Sequence, residues 1–352
     1  MWDYEFSPNG RLLAVGDEAR SRILLFDVRR WRSLGSVRLP SPHPGGYGGA
    51  GNMVWVEPRR LLVMAGPPFT SQTPVVVDPL RRRVVRRIGW RGWAMTTGET
   101  NDGLVLLAPP RVRRGRPRLG QARLVQVRVD GRVRSVRLDR IEAGEGQGNG
   151  GRGRAVYPGL AVDRGGDRAF AIAADRGLVA EVDLGTGRVA YHRLVEGPAI
   201  AKGGPSESFS RSARWLGGHT LAVTGEHRLV GERPRRAREV PYGLRLVDTR
   251  DWTIRTVDPD AQTFDVAGGL LLARRWYVES GRTPMGVAAY DFDGNARWRR
   301  FSGSNVLTWA PGGGRVYLEV GDHGERRTHV VDLATGSSIR VLPHKQYNLL
   351  TR

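Results

Sequence analysis

The chain contains no cysteine, which removes disulfide frameworks, thiolate metal sites and cysteine nucleophiles from consideration. It is nearly without lysine: Lys202 and Lys345 are the only two, so the 56 basic residues are almost all arginine. No apolar run approaches the roughly 20 residues that a membrane-crossing helix requires; Leu270-Leu271-Leu272-Ala273 is typical in length. The long apolar-periodic segments that helices need are missing as well. Residues Met1 to Gly10 have neither a basic region nor an apolar core of the signal-peptide kind. The chain as it stands therefore reads as cytoplasmic, and as extracytoplasmic if its true start lies upstream.

What is present is glycine and proline, 48 and 21 residues, with an ordinary 39% of hydrophobic residues and a net charge of 56 − 35 = +21. A GC-rich coding sequence accounts for the choice of arginine over lysine. The charge still favours acidic partners, whether protein, nucleic acid or anionic surface.

The stretch Leu178 to Val195, LVAEVDLGTGRVAYHRLV, holds two alternating runs around Asp183-Leu184-Gly185-Thr186-Gly187. That is a β-hairpin signal, since glycine supplies the positive φ of the turn. The same pattern recurs. Taking the Asp that closes each third strand as the mark, it falls at Asp27, Asp78, Asp130, Asp183, Asp248, Asp293 and Asp332. Periods of roughly 40 to 65 residues with four short strands each are the sign of propeller blades. The expectation is all-β: a seven-bladed β-propeller of four-stranded antiparallel blades, as a single domain over residues 1–343 with a tail at 344–352.

Val182-Asp-Leu-Gly-Thr-Gly-Arg-Val189, Val331-Asp-Leu-Ala-Thr-Gly-Ser-Ser338, Phe6-Ser-Pro-Asn-Gly10 and Trp309-Ala-Pro-Gly-Gly313 resemble the repeats of bacterial YVTN and quinoprotein-like seven-bladed propellers. The resemblance covers the whole chain but is carried by turns, so it implies a fold and no chemistry. A WD40-like label fits less well, because no third strand closes in Trp-Asp.

Connections between second and third strands, and between one blade and the next, leave on one face and are the long ones: Ser41–Asn52, Ala65–Thr73, Pro109–Ala122, Arg140–Pro158, Glu196–Arg211, Gly225–Gly243 and Arg274–Gly286. Loops on a rigid scaffold are where sites are built. The candidate binding residues are Arg111, Arg113, Arg114, Arg116 and Arg118 in one connection, Arg233, Arg235, Arg236 and Arg238 in another, and Glu207. Guanidinium groups grip planar anions in two-pronged fashion; solvated arginine-rich loops are the plainer reading of the same residues. The glycines of Arg140–Pro158 lack the strand-then-helix context of a phosphate loop.

No catalytic residue, metal ligand or cofactor is assigned. His323 and His329 lack a recognised ligand spacing. Ser206 to Ser208 with His43 or His192 has nothing to position it as a triad, and Glu99, Asp102 and Glu207 are loose candidates for paired carboxylates. Trp90 to Trp93, Arg274 to Tyr277 and Arg297 to Arg300 mix aromatics with arginine, a pattern of single-strand binders but more often of packing between sheets. The expected function is a non-enzymatic binding or scaffold module presenting a basic long-loop face to a protein or other anionic partner. The alternatives are a hydrolase or lyase at the mouth of a central channel, and a nucleic-acid or anionic-surface binder.

Overall fold

The structure, a computed structural model, describes residues 4–7, 9–17, 20–30, 32–40, 50–57, 59–66, 71–110, 112–113, 116–147, 153–194, 206–230, 238–277, 283–312, 314–322 and 325–343. Every regular element among them is a β-strand. Contacts divide the chain into two units, residues 1–174 with 178–193, and 175–177 with 194–352.

In the first unit, β1 (Tyr4–Phe6), β2 (Leu12–Asp17), β3 (Arg22–Asp27) and β4 (Arg32–Arg38) form one sheet, and β5 (Ala50–Glu57), β6 (Arg60–Ala65), β7 (Thr73–Asp78) and β8 (Arg83–Arg87) form another. A further sheet holds β9 (Thr96–Glu99) and β10 (Gly103–Ala108), with the two-residue strands β11 (Val112–Arg113) and β12 (Arg116–Pro117) paired in the connection that follows. It is completed by β13 (Gly120–Arg128), β14 (Val133–Gln147) and an additional strand, β15 (Gly153–Tyr157), beside β14. Then come β16 (Gly159–Asp163), β17 (Arg168–Ile172), β18 (Leu178–Asp183) and β19 (Val189–Arg193) in one sheet.

The second unit opens with β20 (Ser206–Gly217), β21 (Thr220–Val230), β22 (Arg238–Pro241), β23 (Leu244–Asp248) and β24 (Ile254–Asp258), where β22 lies along the far end of β21. Next is the sheet of β25 (Ala261–Ala267), β26 (Leu270–Tyr277), β27 (Thr283–Asp291) and β28 (Ala296–Arg300). The last comprises β29 (Asn305–Gly312), β30 (Arg315–Asp322), β31 (Glu325–Asp332) and β32 (Ser338–Pro343).

All these pairings are antiparallel between sequence neighbours, as Leu160↔Ala171, Ala171↔Ala180 and Ala180↔Tyr191 illustrate. Five sheets have four strands and stand as separate sheets. The expectation of seven such sheets is therefore corrected. The strands expected of the third and fifth do pair as foreseen, but both sheets grow beyond four strands, because their hairpins run on past the expected ends.

Two turn geometries recur. The aspartate closing a third strand accepts amide hydrogen bonds from the turn: Arg30 N to Asp27 at 3.0 Å, Arg81 N to Asp78 at 3.0 Å, Thr186 N to Asp183 at 2.6 Å and Thr335 N to Asp332 at 2.8 Å. In the sheet of β25–β28 this residue is Asp291, which accepts from Asn295 N at 2.8 Å, so the mark expected at Asp293 is moved two residues back. Amide donation stabilises the ionised carboxylate. It holds the Asp183 and Asp332 carboxyls below their usual range, and Asp248 falls to about 2, chiefly through the Arg250 side chain.

The second recurring feature joins successive sheets. Arg86 on β8 donates to Asp130 O, Arg134 on β14 to the carbonyls of Leu184, Gly185 and Thr186, Arg255 on β24 to Asp293 O, and Arg300 on β28 to Gly336 O. Each of these arginines lies on the fourth strand of one sheet and reaches the turn after the third strand of the next. Trp298 Nε1 adds a bond to Leu333 O at 2.8 Å. Part of the arginine excess is thus structural.

Apolar faces close the same joints. Leu107, Leu124 and Ala143 pack with Leu160, Ala171 and Ala180 in one cluster, and Leu272, Val287 and Trp298 with Val316, Leu318 and Val331 in another. A fully buried Leu or Val side chain stabilises by about 1.5–3 kcal/mol relative to exposure. The core therefore consists of layers between neighbouring sheets, with no single central mass within either unit.

Candidate functional site

The connections expected as loops are to a large extent strands. Of Arg140–Pro158, β14 and β15 take all but a short stretch, and Tyr157 Oη donates to Glu145 at 2.5 Å across them. A bulge between Gln121 and Arg123 lets the long β14 stay paired with β13, while Ala143 reaches Gly120. Glycine and arginine composition concealed this, because neither residue belongs to the usual strand formers.

In the first basic connection, β11 and β12 set Arg113 opposite Arg116 in register. Arg118 forms a parallel bridge with Glu145, and Leu119 N donates to Glu145 O at 2.8 Å. Gly144 is required there: its φ is +111° and a Cβ would sit 2.3 Å from Arg118 O. The Arg118 side chain is exposed. Arg111 and Arg114 lie outside the described residues. In the second connection Arg238 begins β22, in register with Leu229 on β21, while Arg233, Arg235 and Arg236 lie outside the described residues.

Glu207 is half-buried near the start of β20, a strand that begins at Ser206, earlier than expected. Register pairs Glu207 with Leu229, Phe209 with His227 and Arg211 with Gly225, so these side chains share one face of the hairpin. The Phe209 and His227 rings stack at 4.2 Å with 6° between planes. Gly225 contributes no side chain opposite Arg211, and a Cβ there would meet Ser210 O at 2.0 Å.

Arg211 then lies over the ring of Tyr242, its guanidinium carbon 3.8 Å from the centroid, and Arg245 lies 4.0 Å from the same centroid. Stacking of this kind is the favourable arrangement of a cation on an aromatic face. Arg211 is only 5% exposed. Its Nη1 donates to Ser210 O at 2.7 Å, whereas its buried Nη2 has no hydrogen-bond acceptor. Burial pulls the guanidinium down to about 10, with Arg245 adding to the fall and Asp175 opposing it, so it remains charged at neutral pH.

On the opposite face, Thr224 Oγ1 donates to Ala261 O at 3.2 Å and Arg274 to Leu307 O at 3.2 Å. Burial lowers the Arg274 guanidinium, and the Glu226 carboxylate works against that. Sequence reading missed Arg211, Tyr242 and Arg245. The available signal was the alternation Glu207, Phe209, Arg211, Ala213 within a serine-rich stretch, which marks a strand face.

The loose catalytic candidates are engaged elsewhere. Glu99 forms an ion pair with Arg164, which also faces the half-buried Glu5, and Asp102 pairs with Arg128 at 2.6 Å. His192 Nε2 meets Glu181 at 3.0 Å, and His329 packs edge-on against Phe301. His43 and His323 lie outside the described residues. Trp93 is buried with its ring edge-on to Tyr157, and Trp298 is buried between sheets. Among the described residues no group of three or more His, Asp or Glu side chains is arranged to hold a metal ion, and no helix is long and apolar enough to cross a membrane.

No family model matches the chain, and none of the curated proteins compared with it matches either. Solved structures do. The chain is similar to dihydro-heme d1 dehydrogenase NirN in complex with DHE, with a TM-score of 0.60 and 13% identity over 97% of this chain and 66% of that one. A prolyl endopeptidase gives 0.58 and 11% over 97% of this chain and 49% of that one. The β-propeller domain of Cps50 (Swd1) from Myceliophteria thermophila gives 0.47 and 11%, covering 97% and 86%. The chain thus spans about two thirds and one half of the first and second. At such identities the likeness concerns the fold, an all-β propeller with four-stranded antiparallel blades.

Proposed function

We propose that the chain is a non-enzymatic propeller module of the YVTN-like kind, one seven-bladed domain over residues 1–343, that presents basic β-ribbons to an acidic protein partner. The observation that supports it is the ribbon of the β10–β13 connection, where Arg113 and Arg116 face each other in register and the Arg118 segment is bound to β14 through Leu119 N and Glu145 O. A basic segment held by backbone hydrogen bonds gives up less conformational entropy on docking than a free loop. No described residue set supports the hydrolase or lyase alternative, since Glu99 and Asp102 are held in ion pairs.

The test replaces Arg113, Arg114, Arg116 and Arg118 together by serine and measures binding to polyglutamate and to duplex DNA over a salt series. Loss of about tenfold or more toward polyglutamate, with a flatter salt dependence, is expected. Unchanged polyglutamate binding overturns the reading, and a loss confined to DNA transfers it to nucleic acid.

A further inference from the structure

We infer that the stack of Arg211, Tyr242 and Arg245 is a binding site for a small carboxylate, which takes the open Nη2 of Arg211. The inference goes beyond the ribbon reading and uses none of the ribbon arginines.

Charge is the first ground. Arg211 and Arg245 place two guanidinium groups on one tyrosine ring. The acid whose field reaches Arg211 is Asp175, and both of its oxygens already accept from Arg176, at 3.1 and 2.8 Å. A buried cation without a compensating anion is strongly unfavourable. Hydrogen bonding is the second ground. Arg211 is 95% buried by its 5% exposure, and Nη2 has no acceptor among the described residues. Buried donors in native folds are nearly always satisfied, by protein, water or an ion. The third is shape. Gly225 opposite Arg211 and the flat Tyr242 ring leave a guanidinium edge to be read, and a carboxylate is the planar anion that matches such an edge. A spherical halide matches it less well.

The test uses the full-length chain. Sodium acetate is titrated at constant ionic strength, and its binding is followed by calorimetry and by thermal unfolding, with sodium chloride and inorganic phosphate as parallel arms. A saturable acetate response is expected, raising Tm by a few degrees at a hundredfold excess over Kd. Acetate should bind at least about tenfold more tightly than chloride. Arg211→Met should abolish the response and Arg211→Lys should weaken it about tenfold, since lysine keeps the charge but loses the fork. Should Arg211→Met not fold, line broadening of labelled acetate on wild type and on Arg211→Lys gives the same comparison. The ribbon variant lacking Arg113, Arg114, Arg116 and Arg118 should bind acetate as wild type does, so failure of either reading is seen separately. No saturable binding, an unchanged response in the Arg211 variants, or equal affinity for acetate, chloride and phosphate overturns the inference.

Discussion

Arg300 donates through Nε to Gly336 O at 2.7 Å, tying the fourth strand of one blade to the turn that follows the third strand of the next. Arg86, Arg134 and Arg255 repeat the relationship at other joints. In this respect the arginine content is as much a property of the fold as of any binding face.

Replacing such an arginine by methionine keeps most of the stem and removes the donors. Arg134→Met and Arg300→Met should each cost about 1–2 kcal/mol, the range for hydrogen bonds that involve a charged group and are partly exposed. The effect is read as a lower urea midpoint at unchanged slope. Arg134→Lys should recover little, because lysine lacks the fork that engages the carbonyls of Leu184, Gly185 and Thr186.

The turn aspartates set an acid limit. The Asp248 carboxyl lies at about 2 in the folded chain, below the roughly 3.9 of an unfolded one. A depressed carboxylate contributes stability that is present above the unfolded value and lost as pH falls through the folded one. Asp183 and Asp332 are depressed in the same sense, chiefly by turn amides. Stability should therefore decline from about pH 4 toward pH 2, and Asp248→Asn should make the decline shallower. Urea midpoints across that range decide the matter, and equal slopes in the two proteins would refute it.

Buried polar groups should respond more sharply. Asp258 accepts from Arg275 at 2.8 Å and from Tyr290 Oη at 2.6 Å, and it is 1% exposed. Asp258→Asn leaves Arg275 short of a buried counter-charge and should cost about 3–5 kcal/mol. Tyr290→Phe removes one hydrogen bond and should cost about 1–3 kcal/mol. Denaturant unfolding of the two variants should keep that order.

Gly144→Ala tests the strap that carries Arg118. A Cβ there would fall 2.3 Å from Arg118 O, at a φ of +111°. The variant should lose about 1–3 kcal/mol through strain, and amide exchange at Leu119 should accelerate selectively.

The repeating hairpins were legible because an alternating run, an aspartate and a glycine turn have one economical solution, and the strands ending at Asp27, Asp78, Asp183, Asp248 and Asp332 follow it. Asp291 and Asp293 were not distinguishable, since both precede Gly294 and only the amide of Asn295 selects between them. The extensions β14, β15, β21 and β22 escaped because glycine-rich and arginine-rich stretches carry no hydrophobic period. Arg211 was invisible for another reason: its setting depends on Gly225 across the hairpin and on Tyr242 farther along the chain, a juxtaposition that spacing alone does not encode.

The arginine clasps at Arg86, Arg134, Arg255 and Arg300 all point down the chain, from an earlier sheet to its successor. A circular permutant opened within a second-strand to third-strand connection leaves donor and acceptor of these clasps on the same side of the cut. One opened between a fourth strand and the following first strand places them at opposite termini, and that permutant should assemble more slowly.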